Sequence, residues 1–458
     1  MSKTDSSEQT GRLFEEAGKI LWAALDGVAP QSLIEKAVLR NGSRLIVQGR
    51  SLDLSWHKNV YMVAFGKAAL PMSQSLMEIV GDFIRKGIVI CVPGQEVNLP
   101  GLLVLPAPHP LPDLRSCKAG DLILDLARNA GDKDLLFVLL SGGGSAQACC
   151  PFQGVTWEDK RRVTEELLKR GADITELNTV RKHLSAIKGG RLAQAASPAG
   201  IVNLAISDVI GDDLENISSG PAHWDSSTYA DAQHVLEIYD YWEQVPVSVR
   251  KVIAGGVEGK FPETLKRKND IFKKVSSFVV GNNCLALSAA QKQADELGFK
   301  TIILTSADRG EAREAAKRYV ALLASLSQSK NRPSEPLCLL SGGELTVRVR
   351  GKGKGGRNQE FILAALLEMQ KQFLTGSWER PKNWLVASIG TDGIDGGTDA
   401  AGAWATHDVL EKATALGLDP QTYLDANDSH HFFRKTLGLI MTGPTGTNVM
   451  DIRIFLLY

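Results

Sequence analysis

Short apolar runs recur along the 458 residues of the chain: NVYMVAF, KGIVICV, DLLFVLL, IVNLAI, SSFVV, KTIILT, PLCLL and NWLVASI. Between them lie stretches whose apolar residues repeat at helical spacing. A strand that is apolar on both faces belongs in a sheet covered on both sides, and strands alternating with helices place the chain in the α/β class. The runs begin only after a helical start from Gly11 to about Leu39, which carries Leu13, Phe14, Ala17, Ile20, Leu21 and Ala24 on one face and has Pro30 suited to the first turn of a second helix. The length exceeds one ordinary core, so two domains are expected. A polar, irregular stretch from Tyr239 to Lys274 marks the candidate boundary, giving domains 1–255 and 256–458.

Charge excludes some partners. Lys plus Arg equals Asp plus Glu at 52 each, so no global field would hold the chain on nucleic acid or on an acidic membrane, and any anion must be met locally. The six cysteines show neither a CxxC pair nor zinc spacing and read as reduced thiols. MSKTDSSEQT leads into no apolar signal segment, and no stretch approaches a membrane span. A cytoplasmic protein is expected. Oligomeric state stays open, a homodimer being one option.

Five of the strands end in small or acidic residues: VAFGKA with Gly66 and Lys67, LLSGGGSA, AISDVIGDD with Asp208, Asp212 and Asp213, LLSGGE ending at Glu344, and ASIGTDGIDGGTDAAGA. In open α/β sheets ligands sit beyond the carboxyl ends of the strands, so these tips are where a site is expected. Ser141, Gly142, Gly143, Gly144 and Ser145 offer consecutive N–H groups able to curl around phosphate, and the competing reading is a tight strand-to-helix turn. Lys67 follows a strand but is not part of a P-loop, because Ala68 stands where magnesium would need a hydroxyl.

ELNTVRKHLSAIKGGRLA reads as one helix ended by Gly189 and Gly190. Asn178, Arg181, Ser185 and Lys188 then form a polar stripe beside an apolar one, which suits Arg181 and Lys188 to an anionic substrate group. RGKGKGGRNQE satisfies GxGxxG at Gly351, Gly353 and Gly356, but the strand before it alternates and no acidic strand end follows to hold a ribose. A mobile cationic loop closing over phosphates is expected instead, with Arg357 fixed at its root. Asp392 and Asp395 are candidate Mg²⁺ ligands; calcium fits poorly, since an EF-hand's twelfth-position ligand is missing.

Anion nests, fixed cations and metal-competent carboxylates, without a Cys/His dyad or a GxSxG elbow, are the parts of phosphoryl transfer, where catalysis is mostly positioning and neutralisation of charge. Two other classes stay open: an NAD(P)-dependent oxidoreductase, which resemblance to known proteins labels hydroxypyruvate reductase-type, and a non-catalytic nucleotide-binding regulator.

Taken as an ordered set, VAFGKAA, PHPLPD, LLSGGGSA, ELNTVRKHLSAIKGGRLA, SDVIGDD with SSGP, LLSGGE, GKGGRNQE, GTDGIDGGTDAAGA and TGTNVMD resemble the glycerate 2-kinase family with a C-terminal MOFRL domain, over almost the whole chain. The resemblance implies an N-terminal Rossmann-like parallel sheet, a C-terminal MOFRL α/β domain and an active site in the interdomain cleft. It also implies phosphorylation of the 2-hydroxyl of D-glycerate by ATP with Mg²⁺. The family's lysine falls on Lys67 and the arginine of its GGRNQE motif on Arg357. On this reading Asp208 takes the hydroxyl proton, Lys67 and Arg357 neutralise the moving phosphoryl group, and Arg181 or Lys188 holds the carboxylate. Two departures stand out: Gln147-Ala148-Cys149-Cys150 replaces apolar residues, and Gly397 stands where proline is common.

Overall fold

The computed structural model describes residues 3–328, 335–378, 381 and 383–458. The chain divides into a middle unit, Pro30–Gly281, and a split unit built from Met1–Ala29 and Asn282–Tyr458. This division differs from the expected one at residue 255. The stretch from Tyr239 to Lys274 is no linker: it contains the helix Val247–Val257, whose Val249, Val252 and Ile253 join an apolar cluster with the helices Trp157–Lys169, Ile174–His183 and Tyr229–Ile238. The strand SSFVV, expected to open the second domain, closes the first sheet instead.

That sheet contains β1 (Asn59–Phe65), β2 (Ile84–Cys91), β3 (Leu102–Pro106), β4 (Asp134–Leu140), β5 (Gly200–Ile206) and β6 (Val275–Gly281). All its neighbours pair in parallel, in the order 3-2-1-4-5-6. This is the strand order of the dinucleotide-binding folds, so the Rossmann-like expectation holds. The central strand β4 is buried at every residue, as a run apolar on both faces requires. The order reverses between β1 and β4, and Phe65 pairs with Leu140 at the carboxyl ends of the two. The chain segments that leave these strands therefore separate at a topological switch point, where such folds hold ligands. A small antiparallel sheet, Val38–Asn41, Arg44–Val47 and Arg50–Asp53, precedes β1.

The split unit has a mixed sheet of β7 (Lys300–Asp308), β8 (Leu337–Gly343), β9 (Trp384–Gly390), β10 (Gly402–Ala405), β11 (Leu439–Ile440) and β12 (Asp451–Leu457), in the order 7-8-12-9-10-11. Only β7 and β8 pair in parallel; β12 runs antiparallel between β8 and β9. Its first residue, Asp451, thus lies opposite both Gly343 and Gly390, the last residues of its neighbours. Helix Lys3–Gly27 packs along helix Asn283–Glu296, so closely that Gly27 leaves no room for a Cβ beside Ala289. Among the described residues no helix is long and apolar enough to cross a membrane, and all six cysteines are free.

Candidate active site

At the switch point of the middle unit the tips of β1 and β4 are tied together by backbone. Lys67 N–H donates to the Gly142 carbonyl (2.8 Å), Ala68 N–H to Ser141 Oγ (2.9 Å) and Ser141 N–H to the Phe65 carbonyl (3.3 Å). Gly66, at φ +119°, has no room for a Cβ against Ser141. That is the close approach for which the chain uses glycine there. The consequence for Lys67 is positional: its backbone is fixed on both sides, and its side chain leaves the sheet at the switch point.

The five residues expected to cradle phosphate divide. Ser141 is buried and spent on structure, since its hydroxyl accepts from Ala68 and its carbonyl accepts from Ser218 Oγ (2.9 Å). Gly143, at φ +83°, packs against the His109 ring, and Gly144 leaves no room for a Cβ beside Ser218 and Phe65. The helix that follows is a single turn, Gly144–Gln147, so its dipole adds little. Ser145 is the member that meets a cation, accepting from Lys188 Nζ at 2.8 Å.

Lys188 reaches Ser145 by a route other than the helical stripe. The helix ends at His183, because Phe152 N–H donates to the Leu184 carbonyl (3.0 Å) and Ala186 N–H to the Cys150 carbonyl (2.8 Å), a short antiparallel bridge that outcompetes a further turn. Gly189 and Gly190, at φ +59° and +80°, then turn the chain into helix Arg191–Ala196. The turn brings Lys188 over the tip of β4, where it also donates to the Ser218 carbonyl (3.2 Å). Ser219 Oγ stands 2.8 Å from Ser145 Oγ and donates to Asn178 Oδ1 at 3.1 Å. Ser218 and Ser219 both hold positive φ, 50° and 62°, a strained placement for non-glycine residues. The sequence reading quoted SSGP only as a family motif; SSG in succession, followed by proline, is the turn signal that would have picked it out.

Arg181 acts on Lys188 electrostatically. Burial pushes Lys188 well below the ordinary lysine range, with neighbouring Lys160 and Arg181 adding to it, and burial pushes Arg181 down to about 10. Asp208 lies two residues beyond β5, in a segment where Ser207 Oγ accepts from Val209 N–H (3.3 Å) and donates to its carbonyl (3.1 Å). Lys67, Asp208 and the cation pair Arg181 and Lys188 therefore all belong to the middle unit, with Lys67 and Asp208 on strand tips of its parallel sheet.

In the split unit Arg357 is the first residue of helix Arg357–Leu374, and two acids hold it. Its Nε and Nη2 donate to the two oxygens of buried Asp451 at 2.7 and 2.9 Å, and Nη1 pairs with Glu344 at 2.7 Å. Burial works against its charge, yet Asp451 and Glu344 together hold the guanidinium above its ordinary value. Asp451 lies outside the carboxyl-end acids of the sequence because it opens an antiparallel strand. Glu344, just beyond β8, thus pairs with the arginine at the root of the cationic loop.

The loop itself is fastened rather than mobile. Asn427 Oδ1 accepts from the N–H groups of Arg350 and Gly351, Gly353 N–H donates to the Ala426 carbonyl, and Lys354 N–H donates to Asp428 Oδ1. Gly351, Gly353, Gly355 and Gly356 all leave no room for a Cβ against Ala426, Asp428, Ser429 and Asp395 respectively. These glycines serve backbone packing and not a pyrophosphate.

Asp395 does not fit a metal. It is buried, and each of its oxygens accepts two N–H bonds: Oδ1 from Asn358 N and Nδ2 (3.0 and 3.2 Å), Oδ2 from Gln359 N and Nε2 (2.8 and 3.0 Å). It caps the helix that begins at Arg357, satisfying N–H groups that a helix start leaves open. Burial pushes its carboxyl up to about 6, against the bonds from Asn358 and Gln359. Asp392 Oδ1 accepts from Ile394 N–H at 3.1 Å. Among the described residues no group of three His, Cys, Asp or Glu could hold a metal ion. Asp395→Ala is therefore expected to lower unfolding free energy by about 1–3 kcal/mol in urea titrations. An Asp395→Ala protein of unchanged stability would return the residue to the candidate ligands.

Residues 16–254 match the family described as a domain of unknown function, DUF4147, and residues 337–451 match the MOFRL family. The chain is 38% identical to the glycerate 2-kinase of Pyrococcus horikoshii over 95% of each chain. It is 40% identical to the D-glycerate 2-kinase of Thermotoga maritima, over 87% of this chain and 90% of that one. The chain belongs to the glycerate kinase family. Likeness extends to structure: a crystal structure of Thermotoga maritima glycerate kinase superimposes with a TM-score of 0.82 at 36% identity, covering 98% of this chain and all of that one. Membership in this family, with a fold shared over nearly its full length, sets aside the oxidoreductase and regulator classes and makes the chain a phosphotransferase that uses a nucleotide.

Proposed function

We propose that the chain transfers the terminal phosphoryl group of ATP to the 2-hydroxyl of D-glycerate, giving ADP and 2-phosphoglycerate. The observation that carries this reading is the near full-length similarity to glycerate 2-kinases, joined to a switch point furnished with cations. Asp208 accepts the proton of the 2-hydroxyl as its oxygen attacks the phosphorus, and the bond to the ADP oxygen breaks. Lys67 offsets the charge that gathers on the transferring group. Arg181 and Lys188 hold the glycerate carboxylate, because among the described residues no carboxylate pairs with either cation. Arg357 meets the phosphoryl group as an oriented donor whose charge Asp451 and Glu344 largely balance. Mg²⁺ enters as the complex of ATP and belongs to the substrate.

The test is ADP release across a panel of small hydroxy acids, with the phosphorylated carbon read by NMR. D-glycerate should give ADP and 2-phosphoglycerate in equal amounts. Phosphate on the 3-hydroxyl would overturn the regiochemistry, and ADP-free turnover of hydroxypyruvate with NADH would overturn the reaction class.

A further inference from the structure

Lys160 occupies the fourth position of helix Trp157–Lys169 and is only 6% exposed, yet its ammonium has no hydrogen-bond partner. It shares the stripe of Val163 and Leu167, which belongs to the apolar cluster of the surrounding helices. An unpaired buried ammonium is one of the more expensive features a fold can carry. This one also sits in the first turn of its helix, where the backbone dipole opposes a cation.

The surroundings do not relieve it. The charged groups acting on Lys160 are Arg181 and the thiols of Cys149, Cys150 and Cys117, and Lys160 in turn acts on Lys188. Lys188 bonds only a hydroxyl and a carbonyl, and neither Lys160, Arg181 nor Lys188 forms an ion pair among the described residues. Lys160 favours the ionised form of all three thiols, but only Cys149 is drawn down, chiefly by its bond with Cys117 and further by Lys160 and Lys188, while Asp121, which accepts from Cys150 Sγ at 3.3 Å, opposes it. Lys182, beside Arg181 on the same helix, shows what a structural lysine looks like here: Glu215 and Asp225 take its protons at 2.8 and 2.6 Å.

We infer that Lys160 is a third ligand of the substrate's carboxylate, completing with Arg181 and Lys188 a buried cationic site that stays uncompensated until D-glycerate enters. The inference rests on the proposed function and extends it to a residue that neither the motifs nor the strand tips single out. Its stability cost is offset only in the complex, as expected of groups kept for binding rather than for the fold.

Lys160→Met removes the charge and keeps the bulk. Titration calorimetry of D-glycerate into the full chain without nucleotide should show at least a tenfold weaker Kd than wild type, while glycerol, which lacks the carboxylate, binds neither protein. The thermal midpoint of the unliganded variant should rise by a few degrees, whereas Lys182→Met should lower it. In the kinase assay the KM for glycerate should rise at least tenfold and the KM for ATP stay within twofold. Unchanged glycerate binding by Lys160→Met, or a rise in KM confined to ATP, overturns the assignment. A lowered midpoint in Lys160→Met also overturns it, since that marks a structural cation paired with Cys149. Wild-type chain that binds D-glycerate in the titration yet forms no ADP overturns the proposed reaction and leaves this site standing.

Discussion

Lys67→Met is expected to lower kcat for glycerate phosphorylation about 10²–10³-fold, the usual cost of losing one oriented donor at a centre of developing charge. The KM for glycerate should change far less, because the proposed contact forms with the phosphoryl group in flight and not with the hydroxy acid. Stability should hardly move. Lys67 is held at the switch point by its own N–H bond to Gly142, and that bond survives any side-chain change. Steady-state kinetics beside a urea titration measures both quantities. A variant with wild-type kcat would remove Lys67 from the chemistry, and one that unfolds early would make it a structural residue.

Arg357→Ala should behave differently, despite standing beside Lys67 in the proposed chemistry. Removing the guanidinium strands the fully buried carboxylate of Asp451, which among the described residues keeps the Asn358 amide at 3.0 Å and a long contact to Arg453. Breaking a buried pair from one side costs about 3–5 kcal/mol, and partial exposure of Arg357 puts the expected loss near the lower end, about 3 kcal/mol. Activity measured on this variant alone would therefore confuse chemistry with folding. Arg357→Ala combined with Asp451→Asn separates them: stability should recover by at least half while kcat stays low. If activity returns together with stability, Arg357 is a positioning residue for the helix start and touches no phosphoryl group.

The contrast between these two residues shows what kind of information the sequence holds. Strands such as NVYMVAF and DLLFVLL were legible because burial on both faces leaves an unbroken apolar run. Lys67 and Asp208 were legible because parallel strands put their carboxyl ends at one edge. Asp451 was not, because in the split unit's own sheet β12 enters antiparallel and brings its opening residue to the edge where Gly343 and Gly390 end. The glycines of RGKGKGGRNQE were visible but their purpose was not: a glycine needed for backbone packing and one needed for a phosphate have the same letter. Lys188 comes to Ser145 by a route other than the expected helical stripe, since the helix stops five residues before it. Lys160 had a readable signal in its spacing with Val163 and Leu167, a charge on an apolar stripe, but a lysine beside two arginines passes for a solvated face.

The split unit has a consequence for how the chain is made. Its first helix buries Leu13, Ile20, Leu21 and Ala24, and the helix it packs along begins only at Asn283, after roughly 250 residues of the middle unit. At ordinary synthesis rates that interval is about 10–50 s. During it the middle unit can complete its own sheet on the ribosome, while the leading helix emerges amphipathic and waits with its apolar stripe in water. This helix, translated well before its partner, is among the last elements to find its place.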